Sequence, residues 1–334
     1  NNTFHIIDAS SGKDADLSKS AVDLSRWRFP VNPREEWLQM FIESWRLERD
    51  HFYDPDMHGV DWLAMLHKYL PLVDRVRSRS DLSDLQSQLA GELSALHTFV
   101  RSPDNRRGND DIRPAFLGAE LKKDVEAGGY RVERIYKTDP DIPEELSPLR
   151  KPGVKVKEGD VITRVNGEDV LSAPDISTLL RDQAGKQVRL TVGGRDVMVT
   201  PVSGGRDAEL RYDEWEYTRR LAVEEKGNGK LGYLHLRAMG GNNMTEFHRE
   251  FYPVIHRQGL VVDARHNRGG NIDSWILSRL MRPVWVHWKP RVGGGTGWRN
   301  MQTSFNGHLV LLVDAHTASD GELFAEGFKR LGLG

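Results

Sequence analysis

The chain of 334 residues contains no cysteine. That excludes a disulfide framework, a thiolate metal site and a cysteine nucleophile within it. A surplus of either charge is also missing, since 47 Lys and Arg stand against 49 Asp and Glu. No net field therefore draws the molecule to nucleic acid or to a lipid surface. Nothing approaches the run of roughly 20 apolar residues that a membrane-spanning helix needs. Residues 1–30 lack the basic head and apolar stretch of a secretory leader. A cytoplasmic location is the simplest expectation, with neither nucleic acid nor membrane as partner. What is present, 38% hydrophobic and 29% charged residues, describes a globular protein. Its length exceeds one ordinary core, so about two to three domains are expected. Both ends read as cut: residues 3–8 look like a strand already under way, and Gly334 falls where another strand should follow a helix.

Along the chain the pattern changes three times. Residues 1–32 read as a strand, a polar hairpin tip at Gly12 and Lys13, and an extended piece ending at Pro30. From Pro33 the residues Trp37, Met40, Phe41 and Trp45 recur at helical intervals. Further helices are predicted over 61–70 and 82–96, the latter with Asp81 as its cap, which makes 33–100 a small helical domain. A polar linker over 101–111 follows. Strands over 116–121, 129–135 and 161–166, a helix over 173–181, and a hairpin around Gly193 and Gly194 then predict a small β-rich barrel or sandwich, within 101–205. Over 206–334, strands at 231–236, 260–264 and 309–314 alternate with helices at 245–257, 272–281 and 320–331. Such alternation predicts a largely parallel sheet with crossover helices, whose ligands bind at the carboxyl ends of the strands.

Two of those ends are unusual. Asp263 and Ala264 run into Arg265-His266-Asn267-Arg268-Gly269-Gly270, a turn whose glycines can expose N–H groups to an oxyanion at a helix start. The plainer reading is a tight strand-to-helix turn. The second end is Asp314-Ala315-His316-Thr317-Ala318-Ser319-Asp320-Gly321-Glu322. Ser319 at that corner would lift its hydroxyl above the sheet edge, and the Asp320 N–H could meet a developing oxyanion. The G-x-S-x-G pattern is missing, and Ser319 or Asp320 could equally be a helix N-cap. A serine nucleophile needs a base. His97, at the end of the apolar stretch Leu93-Ser94-Ala95-Leu96, is one candidate, and His266 and His316 are nearer in sequence. Spacing leaves all three open.

Here the residues carry a resemblance. Glu43-Ser44-Trp45-Arg46-Leu47-Glu48-Arg49-Asp50-His51-Phe52-Tyr53-Asp54, then Met57-His58-Gly59-Val60-Asp61-Trp62 and Gly91-Glu92-Leu93-Ser94 up to His97, look like the helical domain of tricorn core proteases. The Asn267-Arg268-Gly269-Gly270 turn and the Thr317-to-Glu322 corner resemble that family's catalytic domain. The resemblance implies a multidomain α+β chain: the end of a β-propeller over 1–32, the helical domain, a PDZ-like β-rich domain over 101–205, and an α/β crotonase-like, tail-specific-protease-like catalytic domain over 206–334. It implies a serine-type peptidase acting on oligopeptides downstream of larger proteases, within a hexamer. Ser319 would be the nucleophile and His97 its base. The N–H groups of Gly270 and Asp320 would form the oxyanion hole, with Gly269 and Gly270 contacting substrate. No cofactor or metal is implied. The family has a serine before that histidine where this chain has Leu96, and its later glutamate would fall beyond Gly334.

Other constellations weaken. Gly293-Gly294-Gly295-Thr296-Gly297 lacks the lysine of a phosphate-binding loop. No H-E-x-x-H spacing occurs. Trp285, Trp288 and Trp298, with Lys289, Arg291 and Arg299 among them, read as a pocket wall or subunit contact rather than a nucleic-acid surface. Phe116-Leu117-Gly118-Ala119 is the nearest match to a carboxylate-binding loop. Two alternatives stand beside the first reading: a tail-specific protease with a Ser–Lys dyad whose lysine lies past Gly334, and an inactive PDZ-containing peptide-binding scaffold.

Overall fold

A computed structural model describes residues 3–8, 10, 17–101, 111–293 and 297–334. The expected hairpin tip at Gly12 and Lys13, most of the 101–111 linker, and Gly294 to Thr296 lie outside them. The described residues form two compact units, divided after Asp110.

In the first unit, residues 3–8 are not a strand. They make one isolated antiparallel bridge, His5 to Ala21, flanked by Ile6 N–H to Ser20 O and Val22 N–H to Phe4 O. Helix α1 (Pro33–His51) starts where Asn32 accepts the Arg34 N–H and Pro33 occupies the first turn. Helix α2 (Trp62–Val73) is capped by Asp61. Trp45 and Trp62 lock α1 to α2 reciprocally, each indole N–H donating to the other residue's carbonyl at 2.7 and 2.9 Å. Helix α3 (Arg79–Gly91) differs from expectation at both ends. Its cap is Ser78, and Asp81 sits three residues in, accepting the Ser78 N–H to complete a capping box. Its end comes at Gly91, because Ser94 turns left-handed at φ 47° while Leu93 is buried in the core with Phe41 and Leu89. His97 therefore follows a turn rather than closing a helix.

The second unit opens with an antiparallel sheet. The predicted strand at 116–121 is split by Gly118, at φ 67°, into β1 (Ala115–Phe116) and β2 (Ala119–Asp124). With β3 (Gly129–Ile135), β4 (Val161–Val165), β5 (Glu168–Asp169), β6 (Val188–Val192) and β7 (Arg195–Val199), the main sheet runs in the order β2-β3-β4-β6-β7, with β5 paired to β4. The sheet is open rather than closed into a barrel. Helix α4 (Ile176–Leu179) is a single turn, shorter than expected. Strand β8 (Val202–Ser203) pairs with β1. The loop at Gly118 is covered, since a Cβ there would lie 2.6 Å from the Ser147 Oγ and 3.1 Å from Leu210.

From β8 the chain enters α5 (Gly204–Lys226), a helix with no counterpart in the sequence reading. Its buried side chains include Asp207, Asp213 and Glu214, so no apolar stripe announces it. Glu214 joins it to the sheet, accepting from Arg134 at 2.6 Å and from the Lys137 N–H at 3.0 Å. Then β9 (Leu231–His235), α6 (Gly241–Val254), β10 (Gly259–Asp263), α7 (Asp273–Leu280), β11 (Val286–Trp288), β12 (Trp298–Asn300), β13 (His308–Leu312) and α8 (Asp320–Arg330) follow. Strands β13-β10-β9 are parallel in that order, as the alternation predicts. Leu234, Val262, Phe251, Ile276 and Phe324 fill the core between sheet and helices. The tryptophan-rich excursion is a β11–β12 hairpin pairing Trp288 with Trp298, both exposed.

Candidate active site

The two unusual turns meet at the carboxyl ends of β10 and β13. Side by side in the sheet, these strands carry their turns into register: the Ala264 N–H donates to Leu312 O at 2.8 Å, and the Thr317 hydroxyl returns to Ala264 O at 2.8 Å. Asp314 accepts the N–H groups of His266 and His316, each at 3.0 Å, and its carboxyl is held below the usual range chiefly by the first of these. Asn267 is the joint between the turns. Fully buried (0% exposed), it donates its side-chain amide to Leu236 O at 2.6 Å and accepts the Gly269 N–H at 2.7 Å. Its main-chain carbonyl takes the Ala318 N–H at 2.9 Å. The sequence named Asn267 within a motif without giving it this task. A side-chain amide two residues before a glycine is an Asx-turn former, and that signal was available.

Ser319 has φ 58° and ψ −121°. A non-glycine residue there is strained, and such strain persists only where surrounding contacts hold it. It stands at the start of α8, yet its hydroxyl makes no capping bond. The capping contact runs the other way, from the Ser319 N–H to the Glu322 carboxylate at 2.6 Å. That disfavours the plain N-cap reading, since an N-cap residue is normally extended and bonds through its side chain.

Gly269 packs directly on the serine. A Cβ at Gly269 (φ 78°) would fall 2.5 Å from the Ser319 Cβ and 3.0 Å from its Oγ. Gly270 is pressed against β9's continuation, where a Cβ would overlap the Met239 carbonyl oxygen at 1.9 Å. Met239 holds the turn on both sides, donating to Gly269 O at 2.7 Å and accepting from the Asn271 N–H at 2.8 Å. Neither the Gly270 N–H nor the Asp320 N–H has an acceptor among the described residues. The latter is one of the donors that a helix start cannot satisfy internally. Asp320's side chain faces inward, accepting the N–H groups of Ile272 at 2.8 Å and Asp273 at 3.1 Å. Burial raises its pKa. The carboxylate thus pins the start of α7 to the start of α8. The predicted residues Ser319, Asp320, Gly269 and Gly270 therefore share one corner.

The histidines separate by environment. His235 is buried between the Tyr212 hydroxyl and Asp263 O, both at 2.7 Å, and burial pushes its pKa down to about 4. It is a neutral core imidazole. His266 and His316 stack at 5.3 Å between ring centroids, with His266 Nδ1 3.2 Å from Asp314. His97 belongs to the first unit, where it is exposed with φ 70° and its ring lies 5.9 Å from Phe99. No helix is long and apolar enough to cross a membrane, and no group of three or more ligand-type side chains is placed to hold a metal, among the described residues.

Residues 33–91 match the tricorn protease C1 domain, residues 115–204 the tricorn protease PDZ domain, and residues 230–334 peptidase family S41. Tricorn protease homolog 1 of Streptomyces coelicolor is 39% identical over 331 residues, covering 98% of this chain and 30% of its own length. A putative tricorn-like protease C-terminal subunit of Sulfurisphaera tokodaii is 36% identical over 314 residues, 94% of this chain and 36% of the relative. The crystal structure of the tricorn protease superposes with a TM-score of 0.83 at 28% identity, covering 99% of this chain and 32% of that one. The chain spans about a third of the length of the relatives it matches. With the three matches in this order and the unusual turns inside the third, the chain carries a tricorn-type C1 domain and a tricorn-type PDZ domain followed by a peptidase family S41 domain.

Proposed function

We propose that the chain is the part of a serine peptidase that carries its nucleophile, hydrolysing oligopeptides through an acyl-enzyme. The observation that supports this most is Ser319: a strained serine at the carboxyl edge of a parallel sheet whose hydroxyl, like the neighbouring Gly270 and Asp320 N–H groups, has no partner among the described residues. In this reading the Ser319 Oγ attacks the scissile carbonyl and His97 takes its proton. The N–H groups of Gly270 and Asp320 stabilise the oxyanion, and Gly269 and Gly270 lie along the bound peptide. Proton return from His97 frees the leaving amine, and water then hydrolyses the ester. His97 is assigned by family likeness. Leu96 in front of it, where the family has a serine, leaves its imidazole without that neighbour. The proposed division is a propeller end over 1–32, a helical domain over 33–100, a PDZ-like domain over 101–205 and a crotonase-like catalytic domain over 206–334. Assembly as a cytoplasmic hexamer is proposed on the same likeness.

The test is hydrolysis of fluorogenic peptides by the full-length protein and its Ser319→Ala and His97→Ala variants. Each variant should lose on the order of 10⁴-fold or more in kcat, as removal of a nucleophile or base does elsewhere. Wild-type turnover in either would reject the corresponding role.

A further inference from the structure

The residue proposed as base sits on a backbone that has little to hold it. After α3 the chain turns left-handed at Ser94 (φ 47°) and again at His97 (φ 70°), and the His97 side chain is exposed. Among the described residues, the local hydrogen bonds of 93–98 reach only three positions along the chain: Leu93 to Ala90, Ser94 to Gly91, and Thr98 to Ala95. One bond reaches further. The His58 Nδ1 lies 2.9 Å from Leu93 O, across 35 residues.

A carbonyl oxygen only accepts, so Nδ1 carries the proton in the neutral ring and Nε2 is left as an acceptor. Nε2 is met by the Tyr53 hydroxyl, which must then be the donor. The ring is steadied from behind by Phe52, edge-on at 5.1 Å between centroids. His58 itself is held in a left-handed turn (φ 55°) because Asp54 accepts its N–H at 3.0 Å and that of Asp56 at 3.1 Å. Each link in the chain Tyr53, His58, Leu93 O has its proton direction fixed by the next. The chain ends at Leu93, the last fully buried core residue before the segment passes the partly buried Ala95 and reaches His97.

We infer that His58 is a positioning residue for the segment that carries His97, setting where the base stands without touching substrate. This rests on the proposed role of His97. A misplacement of about 1 Å in a catalytic group can cost about 100-fold in rate, and loss of an orienting partner typically costs about 10–100-fold. The change should fall on kcat rather than on KM, because substrate contacts are untouched.

The experiment compares full-length wild type with His58→Ala, His58→Asn, Tyr53→Phe and His97→Ala on one fluorogenic peptide, with amide hydrogen exchange read over residues 93–98. Asparagine places an amide N–H where Nδ1–H stood. His58→Ala should lower kcat about 10–100-fold with KM within about twofold, and should speed exchange over 93–98. His58→Asn should recover kcat to within about threefold of wild type and restore slow exchange. Tyr53→Phe should lower kcat by less than His58→Ala does. The inference is overturned if His58→Ala keeps wild-type kcat while His97→Ala is inactive. It is equally overturned if Ala and Asn variants lose activity alike with exchange over 93–98 unchanged. Full activity in His97→Ala would instead remove the base assignment itself.

Discussion

At the scale of single residues, the site is built by strain and by burial of polar groups. Ser319 holds a backbone conformation that only glycine adopts freely, which costs about 1–3 kcal/mol. Ser319→Gly should therefore raise the melting temperature of the full-length protein while abolishing peptidase activity, a stability gain bought by loss of function. Thermal unfolding followed by fluorescence gives the answer, and a melting temperature below wild type would contradict the strained geometry. Asn267→Ala has the opposite sign. It leaves the buried Leu236 carbonyl and Gly269 N–H without these partners, at about 1–3 kcal/mol for each unsatisfied group. Melting temperature and kcat should fall together, and an unchanged melting temperature would show that the two turns do not need this joint. Ser319, the proposed nucleophile, stood out because a serine between an apolar strand and a helix is chemically conspicuous. Asn267 was legible only as an Asx-turn former, because its second bond depends on the fold bringing the Leu236 carbonyl, just past β9, to its side chain.

At the scale of elements, legibility followed apolar periodicity. Strand β3 was placed over its full extent, and the β6–β7 hairpin was betrayed by Gly193 and Gly194, both left-handed at φ 54° and 77°. Helix α5 was invisible because Asp207, Asp213 and Glu214 occupy buried positions that a periodicity search expects to be apolar. Helix α3 was drawn too long for the converse reason: Leu93 continues the helical spacing and is buried, though the backbone has already left the helix. The glycine turn between β10 and α7 supplies a prediction of its own. Gly270→Ala pushes a Cβ into the Met239 carbonyl, which is backbone and cannot swing away. Displacing this proposed oxyanion donor should cost about 10²–10³-fold in kcat, the loss typical of one such donor. Gly128→Ala is the control, since Gly128 has φ 74° but nothing within 4 Å of the added carbon. It should cost only about 1 kcal/mol of stability and leave kcat alone. Equal kinetic effects from the two substitutions would contradict the assignment of the Gly270 turn.

At the scale of the whole molecule, near-neutral charge hides a buried acidic group. Glu216 pairs with Arg237 at 2.5 Å, yet burial, reinforced by the Glu250 carboxylate, pushes its pKa up to about 8. Glu250 is raised in the same direction, again by burial. A raised carboxyl holds a proton that the unfolded chain releases near its ordinary value of about 4.3. Its contribution is complete below that value and is lost as pH rises through about 8. Melting temperature should thus decline as pH rises from about 7, where His235 is already largely neutral in both folded and unfolded chains, to about 8.5, and less steeply in Glu216→Gln than in wild type. Parallel profiles for the two proteins would place the proton elsewhere. No local pattern could have announced this cluster, because Glu216 and Glu250 come from different helices and Arg237 from a loop between them. The same holds for the proposed partnership of His97 with Ser319, which family likeness offers and sequence spacing does not.

The most direct trial of the account is covalent labelling of the full-length protein with a fluorophosphonate, read by mass spectrometry of its peptides. A single adduct on Ser319, accumulating in step with loss of peptidase activity and absent from Ser319→Ala, is the expected result. Peptide hydrolysis that persists with Ser319 unlabelled, or an adduct on another residue that tracks inactivation, would contradict it.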